Sequence, residues 1–411
     1  MSSFGAVDRK DRAPAVSARV VAPPLAPAES HALPRTKSPL KAEWKPFCAL
    51  ESEIEAWRGL VARALEPNVF LEPSFALAAA KHLSHGREVG ALLVRDGTRL
   101  KGLVPGRIEG LAAGRPFATF VGWTHAYAPL STPLIDRDAA KEVVGSVLAA
   151  LPALPGRPRL ILYPFVNEDG AVARLRAGEL ARRGIPVAYF GIHERAMLRP
   201  VAGRDALASI SGSRLKELHR QRRRLSEAGT LDRRTVTAGP EVRAAIDAYL
   251  ALEAGGWKGK SGGAAQSNAT TRAFFAEAVA ALAAEGKARI DLLTLDAAPI
   301  AAAITLFSGD RAWFWKIAYD EEYARFSPGV QLALDLTADL GRNARISLID
   351  SCAVADHPMI DRLWDGRLAI ADWMMPLAGL GAAAFSVAVA AENIRRLAAG
   401  GLRLACKLTR A

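Results

Sequence analysis

The sequence predicts an α/β chain made of two copies of one unit. Strand-like and helix-like stretches alternate through both halves. Two hairpins, ALLVRDGTRLKGLVPGRIE and DLLTLDAAPIAAAITLFSG, share a pattern of strand, short turn and second apolar strand before a further strand. At 411 residues the chain is long for one compact core, and with 50% apolar residues it can build a large one.

The elements follow in order. Residues 1–43, rich in Pro, Ala and Ser, read as a disordered tail without a continuous apolar stretch of signal-peptide length. Leu50 to Ala64 spaces its apolar residues as a helix does, and PNVFLEPSF turns into another helix ending near Leu83. Gly90 to Val94 and Leu100 to Arg107 flank an Asp-Gly turn. A strand at Thr119 to Trp123 leads into the loop Thr124 to Pro129. A helix (Ala139 to Leu151), a strand (Arg159 to Phe165) and a helix (Ala171 to Arg183) complete the first unit, 44–195.

The second unit, 196–370, opens on a basic helix, Arg214 to Ala228, with Ser211 and Ser213 as candidate caps. Helices at Pro240 to Glu253 and Thr270 to Glu285 enclose a Gly- and Ser-rich loop. Three strands, from Ile290 to Tyr319, and a late strand ending at Asp350 follow. The terminal segment 371–411 is apolar from Trp373 to Ala390 and basic beyond. It reads as a buried helix, with a peripheral membrane contact as the alternative.

Cys48, Cys352 and Cys406 are too few and too scattered for a disulfide framework or a zinc cluster, and fit a reducing compartment. No carboxylate or His spacing suggests a metal site; His82 and His85 match no catalytic pattern, and His357 reads as structural. The net charge of +12 is spread widely, with one dense cluster, Arg214 to Arg224. Without aromatic interleaving that cluster does not specify nucleic acid, and it can instead steer an anionic ligand.

The most informative stretch runs from Ile290 to Leu340. After its strands and a polar loop, Ser327-Pro328-Gly329 opens a helix. Ser suits an N-cap, Pro the first helical position, and the free amides of a helix start hold anions. Ser327, Pro328, Gly329 and Val330 are the candidate cradle for a pyrophosphate, with Arg325 as a charge partner or a solvated loop cation.

The runs Trp257-Lys258-Gly259, PIAAAITLF and WKIAYDEEYARFSPG, with PNVFLEPSF and GWTHAYAPLSTPLID, resemble the GNAT-type acyltransferases of the CelD/BcsL group, over roughly residues 45 to 375. That group is named for its association with bacterial cellulose biosynthesis. The resemblance implies a tandem GNAT pair similar to the FemAB transferases, each half a mixed, mostly antiparallel sheet flanked by helices. It implies acetyl-CoA or another acyl-CoA as donor, no metal, and a sugar, polysaccharide precursor or amine as acceptor. The setting implied is cytoplasmic, at or near polysaccharide-synthesis machinery on the inner membrane face. Much of the broader family follows its last Asp with a Gly-rich turn and a Tyr-Lys pair; here Asp350 is kept but is followed by SCAVADHPMIDRLW, without that pair.

Acyl transfer from a thioester needs a polarised carbonyl, a base for the nucleophile and an acid for the thiolate. A backbone amide on the strand Ala301 to Phe307 is the candidate polarising group. Tyr323, then Tyr319, is the candidate acid, as the family implies, and Asp320 or Glu253 the candidate base; each can instead pack, cap or pair. Trp257 and Lys258, beside a Gly-rich loop, with Lys316 and Asp350, are candidates for the acceptor site. The first unit has no Ser-Pro-Gly helix start and reads as degenerate. A Fem-like transferase using aminoacyl-tRNA and a non-catalytic accessory of polysaccharide synthesis are the competing readings; there is no long coiled-coil arm of the kind some Fem enzymes use.

Overall fold

The computed structural model describes residues 19–21, 40–83, 88–256 and 268–408, with side chains as far as residue 399. The strands are β1 (Arg19–Val21), β2 (Lys41–Pro46), β3 (Gly90–Asp96), β4 (Arg99–Glu109), β5 (Thr119–Gly122), β6 (Leu134–Ile135), β7 (Leu160–Asn167), β8 (Val187–Leu198), β9 (Leu231–Val236), β10 (Ala288–Leu295), β11 (Ala298–Ser308), β12 (Arg311–Tyr319), β13 (Leu348–Asp350) and β14 (Gly366–Pro376). The helices are α1 (Ile54–Ala62), α2 (Pro73–His82), α3 (Ala140–Ala150), α4 (Ala171–Arg182), α5 (Gly212–Glu227), α6 (Glu241–Gly255), α7 (Ala269–Ala284), α8 (Pro328–Gly341) and α9 (Ala382–Leu408).

Among the described residues the strands join into one sheet, in the order β2-β3-β4-β5-β7-β14-β8-β13-β12-β11-β10-β9; β6 pairs with β4 and β1 with β8. Read inward from either end the pattern is the same. Four strands form an antiparallel meander, the fourth pairs in parallel with a fifth, and the fifth pairs antiparallel with a sixth. A parallel pair needs a crossover, which α3 supplies between β5 and β7 and α8 between β12 and β13. The structure is therefore a tandem of two similar halves, each mostly antiparallel and flanked by helices.

The sixth strands are exchanged. β8 follows β7 in sequence but pairs with β13, and β14 follows β13 but pairs with β7. The two exchanged strands then pair with each other. Residues 195 and 196, where the sequence places a domain boundary, lie inside β8.

Two sequence expectations change here. Residues 371–376, expected in a helical terminal segment, are the end of β14, and α9 starts only at Ala382. β14 is central and buried on both faces: Ala371, Trp373 and Met375 enter one core cluster and Met374 another. A strand buried on both sides is apolar without alternation, which periodicity cannot tell from a buried helix. Within the expected tail, Arg19–Val21 adds to β8 at Val187–Tyr189.

The largest core cluster crosses the halves. Phe47, Trp57, Phe70 and Phe75 of the first half share it with Tyr249, Phe274, Trp313 and Trp315 of the second. On the opposite face of the second half, α5 and α8 cover Ala301, Ala303 and Phe314 with Leu218, Leu332 and Leu336.

Candidate functional site

β12 and β13 pair only over Arg311–Trp313 and Leu348–Asp350. β13 stops there, while β12 runs on to Tyr319, so the two strands fork. Asp350, at the apex, is 2% exposed and bonds Arg195 Nη2 at 2.5 Å. Its other carboxylate oxygen accepts from Cys352 N–H at 2.9 Å, where Cys352 takes φ 53° and the chain leaves the sheet. Burial, with the Asp350 carboxylate, pushes the Cys352 thiol well up, so this cysteine is no thiolate nucleophile at neutral pH. Asp350 is thus a strut of the fork.

β12 carries a bulge inside the fork. Ile304 pairs with Lys316 and Thr305 with Phe314, which leaves Trp315 without an opposing residue. A bulge disrupts the ladder and leaves its extra residue unpaired. β11, by contrast, is flanked by β10 and β12 throughout 301–306. The expectation of a free backbone amide on Ala301 to Phe307 therefore moves to β12: a central strand has no free edge, whereas β12 has one beyond Trp313.

The start of α8 lies at the open end of the fork. Gly329 packs so close to β12 that a Cβ there would stand 3.1 Å from Tyr319 Cδ1 and 3.7 Å from Ile317 Cδ1. Ser327 occupies the N-cap position but takes φ 54°, ψ 51° and makes no side-chain cap bond. Side-chain capping needs an extended residue, so Ser327 differs from the cap the sequence suggests. Among the described residues the first-turn amides of α8 have no side-chain cap, with Pro328 at the first position. Arg325 is exposed and lies 4.6 Å from the Phe326 ring.

Tyr319 also borders a small cavity of about 50 Å³ with Leu252, Glu253, Gly256, Ala318 and Glu321. Glu253 is 6% exposed and accepts from Tyr249 Oη–H at 3.1 Å. Burial and that carboxylate push the Tyr249 phenol well above its ordinary value. Of the sequence candidates, Tyr319, Glu253 and the Gly329 helix start thus come together. Tyr323 instead packs into the core cluster under α8, and Asp320 caps its own turn by accepting from Glu322 N–H at 3.0 Å. Val330 packs into the same cluster as Tyr323. Trp257 and Lys258 lie outside the described residues.

The first half closes one side of the site. Trp315 Nε1 donates to Tyr127 O at 2.8 Å, and Lys316 Nζ stands 4.9 Å from the Tyr127 ring centre. His125 sits among Phe75, Trp123 and Phe274. Its Nδ1 accepts from Tyr127 N–H, and burial, with Lys316 nearby, lowers the imidazole to about 3, so it is neutral. The sequence marks the loop 124–129 as polar and aromatic, but nothing in it says that His125 and Tyr127 reach the other half. Arg195 was likewise not legible.

The equivalent place in the first half differs. β5 ends at Gly122, and α3 is preceded by Asp136, whose carboxylate accepts from Asp138 N–H and pairs with Arg63 and Lys101. That carboxylate caps the 3-10 turn Arg137–Ala139, and α3 begins only after Ala139. Among the described residues no group of three His, Cys, Asp or Glu could hold a metal ion, and no helix is long and apolar enough to cross a membrane.

Residues 212–355 match the acetyltransferase (GNAT) domain family. The fork, the bulge and the α8 start all lie within that span. No curated protein matches the chain in sequence. Among solved structures, a conserved protein of unknown function from Bacteroides thetaiotaomicron superposes with a TM-score of 0.52 at 10% identity, over 82% of this chain and all (100%) of that one. FemX gives 0.49 at 12% identity, over 78% and 95%. A tandem GNAT protein from the clavulanic acid biosynthesis pathway gives 0.40 at 16%, over 82% and 99%. At such identities likeness speaks to fold alone. Residues 212–355 carry a GNAT-type fold.

Proposed function

We propose that this protein transfers an acyl group, acetyl in the simplest case, from acyl-CoA to an amine or hydroxyl of a sugar or polysaccharide precursor. The observation that carries the reading is the fork of β12 from β13, with an uncapped helix start at its open end. The α8 amides and Gly329 would hold the pyrophosphate, because N–H groups and the helix dipole favour an anion there. The thioester would lie along the free edge of β12, its carbonyl oxygen taking a hydrogen bond from the amide at the Trp315 bulge. Glu253 would accept the proton of the attacking nucleophile. As the C–S bond breaks, Tyr319 would give its phenolic proton to the leaving thiolate. Lys316 and Tyr127 would border the acceptor, which makes the site a product of both halves, with the first half's own crossover inactive. A role beside cellulose or exopolysaccharide synthesis, at the inner face of a membrane, belongs to the same proposal and rests on the sequence resemblance.

One observation favours a second reading. The basic helix α5 packs against the turn 321–326 that leads into α8. Arg220, Arg222 and Arg223 of α5 are in ion pairs, while Lys216, His219 and Arg224 are exposed. A polyanionic donor larger than CoA, an aminoacyl-tRNA, would use such a face. Calorimetric titration of the wild type and of Gly329→Trp with acetyl-CoA and longer acyl-CoAs, with a tRNA arm, tests both. Saturable acyl-CoA binding that Gly329→Trp abolishes is the expected result. Binding of tRNA but of no CoA would replace it with the second reading, and binding of neither would leave a non-catalytic accessory.

A further inference from the structure

Helix α9 lies on the sheet with one face only. Phe385, Ala388 and Val389 pack with Leu160, Phe190 and Met374. From Ala382 to Ala398, every exposed residue but Ser386 is apolar. Val387, Ile394 and Leu397, spaced by seven and three, share one side of the helix and are 55%, 67% and 55% exposed. The turn Leu111–Ala113 lies alongside: Leu111 is 80% exposed, and a Cβ on Gly114, just after it, would stand 3.9 Å from Arg395 Cδ. A helix on a protein surface turns polar residues to water, and an apolar face left open marks an interaction surface.

The rim of this face is basic. Arg159 donates to Gly379 O just before α9, and Arg157 beside it in the chain is exposed. Neither is in an ion pair among the described residues. Arg107, Arg115, Arg395 and Arg396 pair with Glu109, Glu392 and Asp372, four cations on three carboxylates. Arg403 and Lys407 follow in the sequence of α9, and no acidic residue comes after Glu392. A second copy of the chain seated here would bring two basic rims together, whereas a negatively charged surface would neutralise the one.

We propose that the outer face of α9 docks on a bilayer containing anionic lipid. Val387, Ile394 and Leu397 enter the boundary between headgroups and acyl chains, and the surrounding arginines face the lipid phosphates. Among the described residues no helix is long and apolar enough to cross a membrane, so α9 lies along the surface. This contact gives the membrane setting proposed above a surface. It is independent of the acyl-CoA donor, because α9 packs on β7, β8 and β14, away from the fork of β12 and β13.

Cosedimentation of the full chain with vesicles tests it, one set in equal parts phosphatidylcholine and phosphatidylglycerol, the other in phosphatidylcholine alone. The protein is expected to bind the anionic vesicles about tenfold more tightly or better, and to lose most of that preference between about 0.1 M and about 1 M salt. Ile394→Glu with Leu397→Glu should weaken binding to anionic vesicles about tenfold or more. Both side chains are exposed, so thermal unfolding and acyl-CoA titration of this double variant should match the wild type. Arg157→Gln should cost about fivefold on anionic vesicles and nothing on neutral ones. Wild-type binding that the double variant keeps would overturn the docking face and leave the membrane setting. No binding to either vesicle would overturn both and leave acyl transfer untouched. A wild-type dimer in sedimentation velocity that the double variant dissociates would assign the face to a second copy and overturn the proposal.

Discussion

At Gly329 the absence of a side chain is what lets α8 start against Tyr319. A Cβ at 3.1 Å from the ring forces the ring or the helix to shift, so even Gly329→Ala should weaken acyl-CoA binding about tenfold, ~1.4 kcal/mol, by calorimetry. The two tyrosines separate in the same way. Tyr319 touches both the helix start and the Glu253 cavity, whereas Tyr323 packs into a core cluster. Once an acceptor is in hand, Tyr319→Phe should lower kcat on the order of a hundredfold, within the range of general acid catalysis, and Tyr323→Phe should leave it nearly unchanged; equal losses would remove the distinction. The sequence names both tyrosines as candidates, but their choice depends on which one the third strand of the hairpin carries to the fork.

Among the elements, the fork depends on one buried ion pair. Arg195 of β8 and Asp350 of β13 are each 2% exposed and sit 2.5 Å apart. Asp350→Asn leaves Arg195 charged and uncompensated, and should cost about 3–5 kcal/mol in denaturant unfolding. The double change Arg195→Met with Asp350→Leu should recover much of that, since an apolar pair of similar volume is often neutral; no recovery would mean that the pair does more than neutralise itself. Asp350 reads in the sequence as a strand-end acid with an open role, because its partner lies 155 positions away. The α8 start, Pro328 and Gly329, is legible because local chain chemistry sets it. Ser327 is misread as a cap because its backbone angles are imposed by the turn before it.

For the whole molecule, exchange of the sixth strands predicts that neither half folds alone. A chain ending at Asp365 lacks β14, which stands between β7 and β8, and should show no cooperative transition by circular dichroism; a folded product of that length would show that the exchange is dispensable. α9 pairs with this strand through Arg396 and Asp372, and with the loop before β5 through Glu392, which is 2% exposed and bound by Arg115, Arg395 and Arg396. Burial pushes its carboxyl up, but hydrogen bonding from Arg395 and the charges of Arg115 and Arg396 outweigh that and hold it at about 2 rather than 4.5. A carboxyl depressed in the folded state stabilises fully above its unfolded value. Its contribution, about 3 kcal/mol, should fade as pH falls from about 4.5 through about 2. Denaturant titrations across that range should show the loss, and Glu392→Gln should abolish this part of the slope.

The sequence by itself determined the two-unit α/β plan, the paired hairpins and the helix start at Pro328, because these follow from local periodicity and turn chemistry. Only the tertiary structure decided that β14 is a strand rather than a helix, that the halves exchange their sixth strands, and that Tyr127 and Lys316 meet at one site. Those outcomes depend on long-range pairing and on burial from both sides, which short-range pattern does not encode.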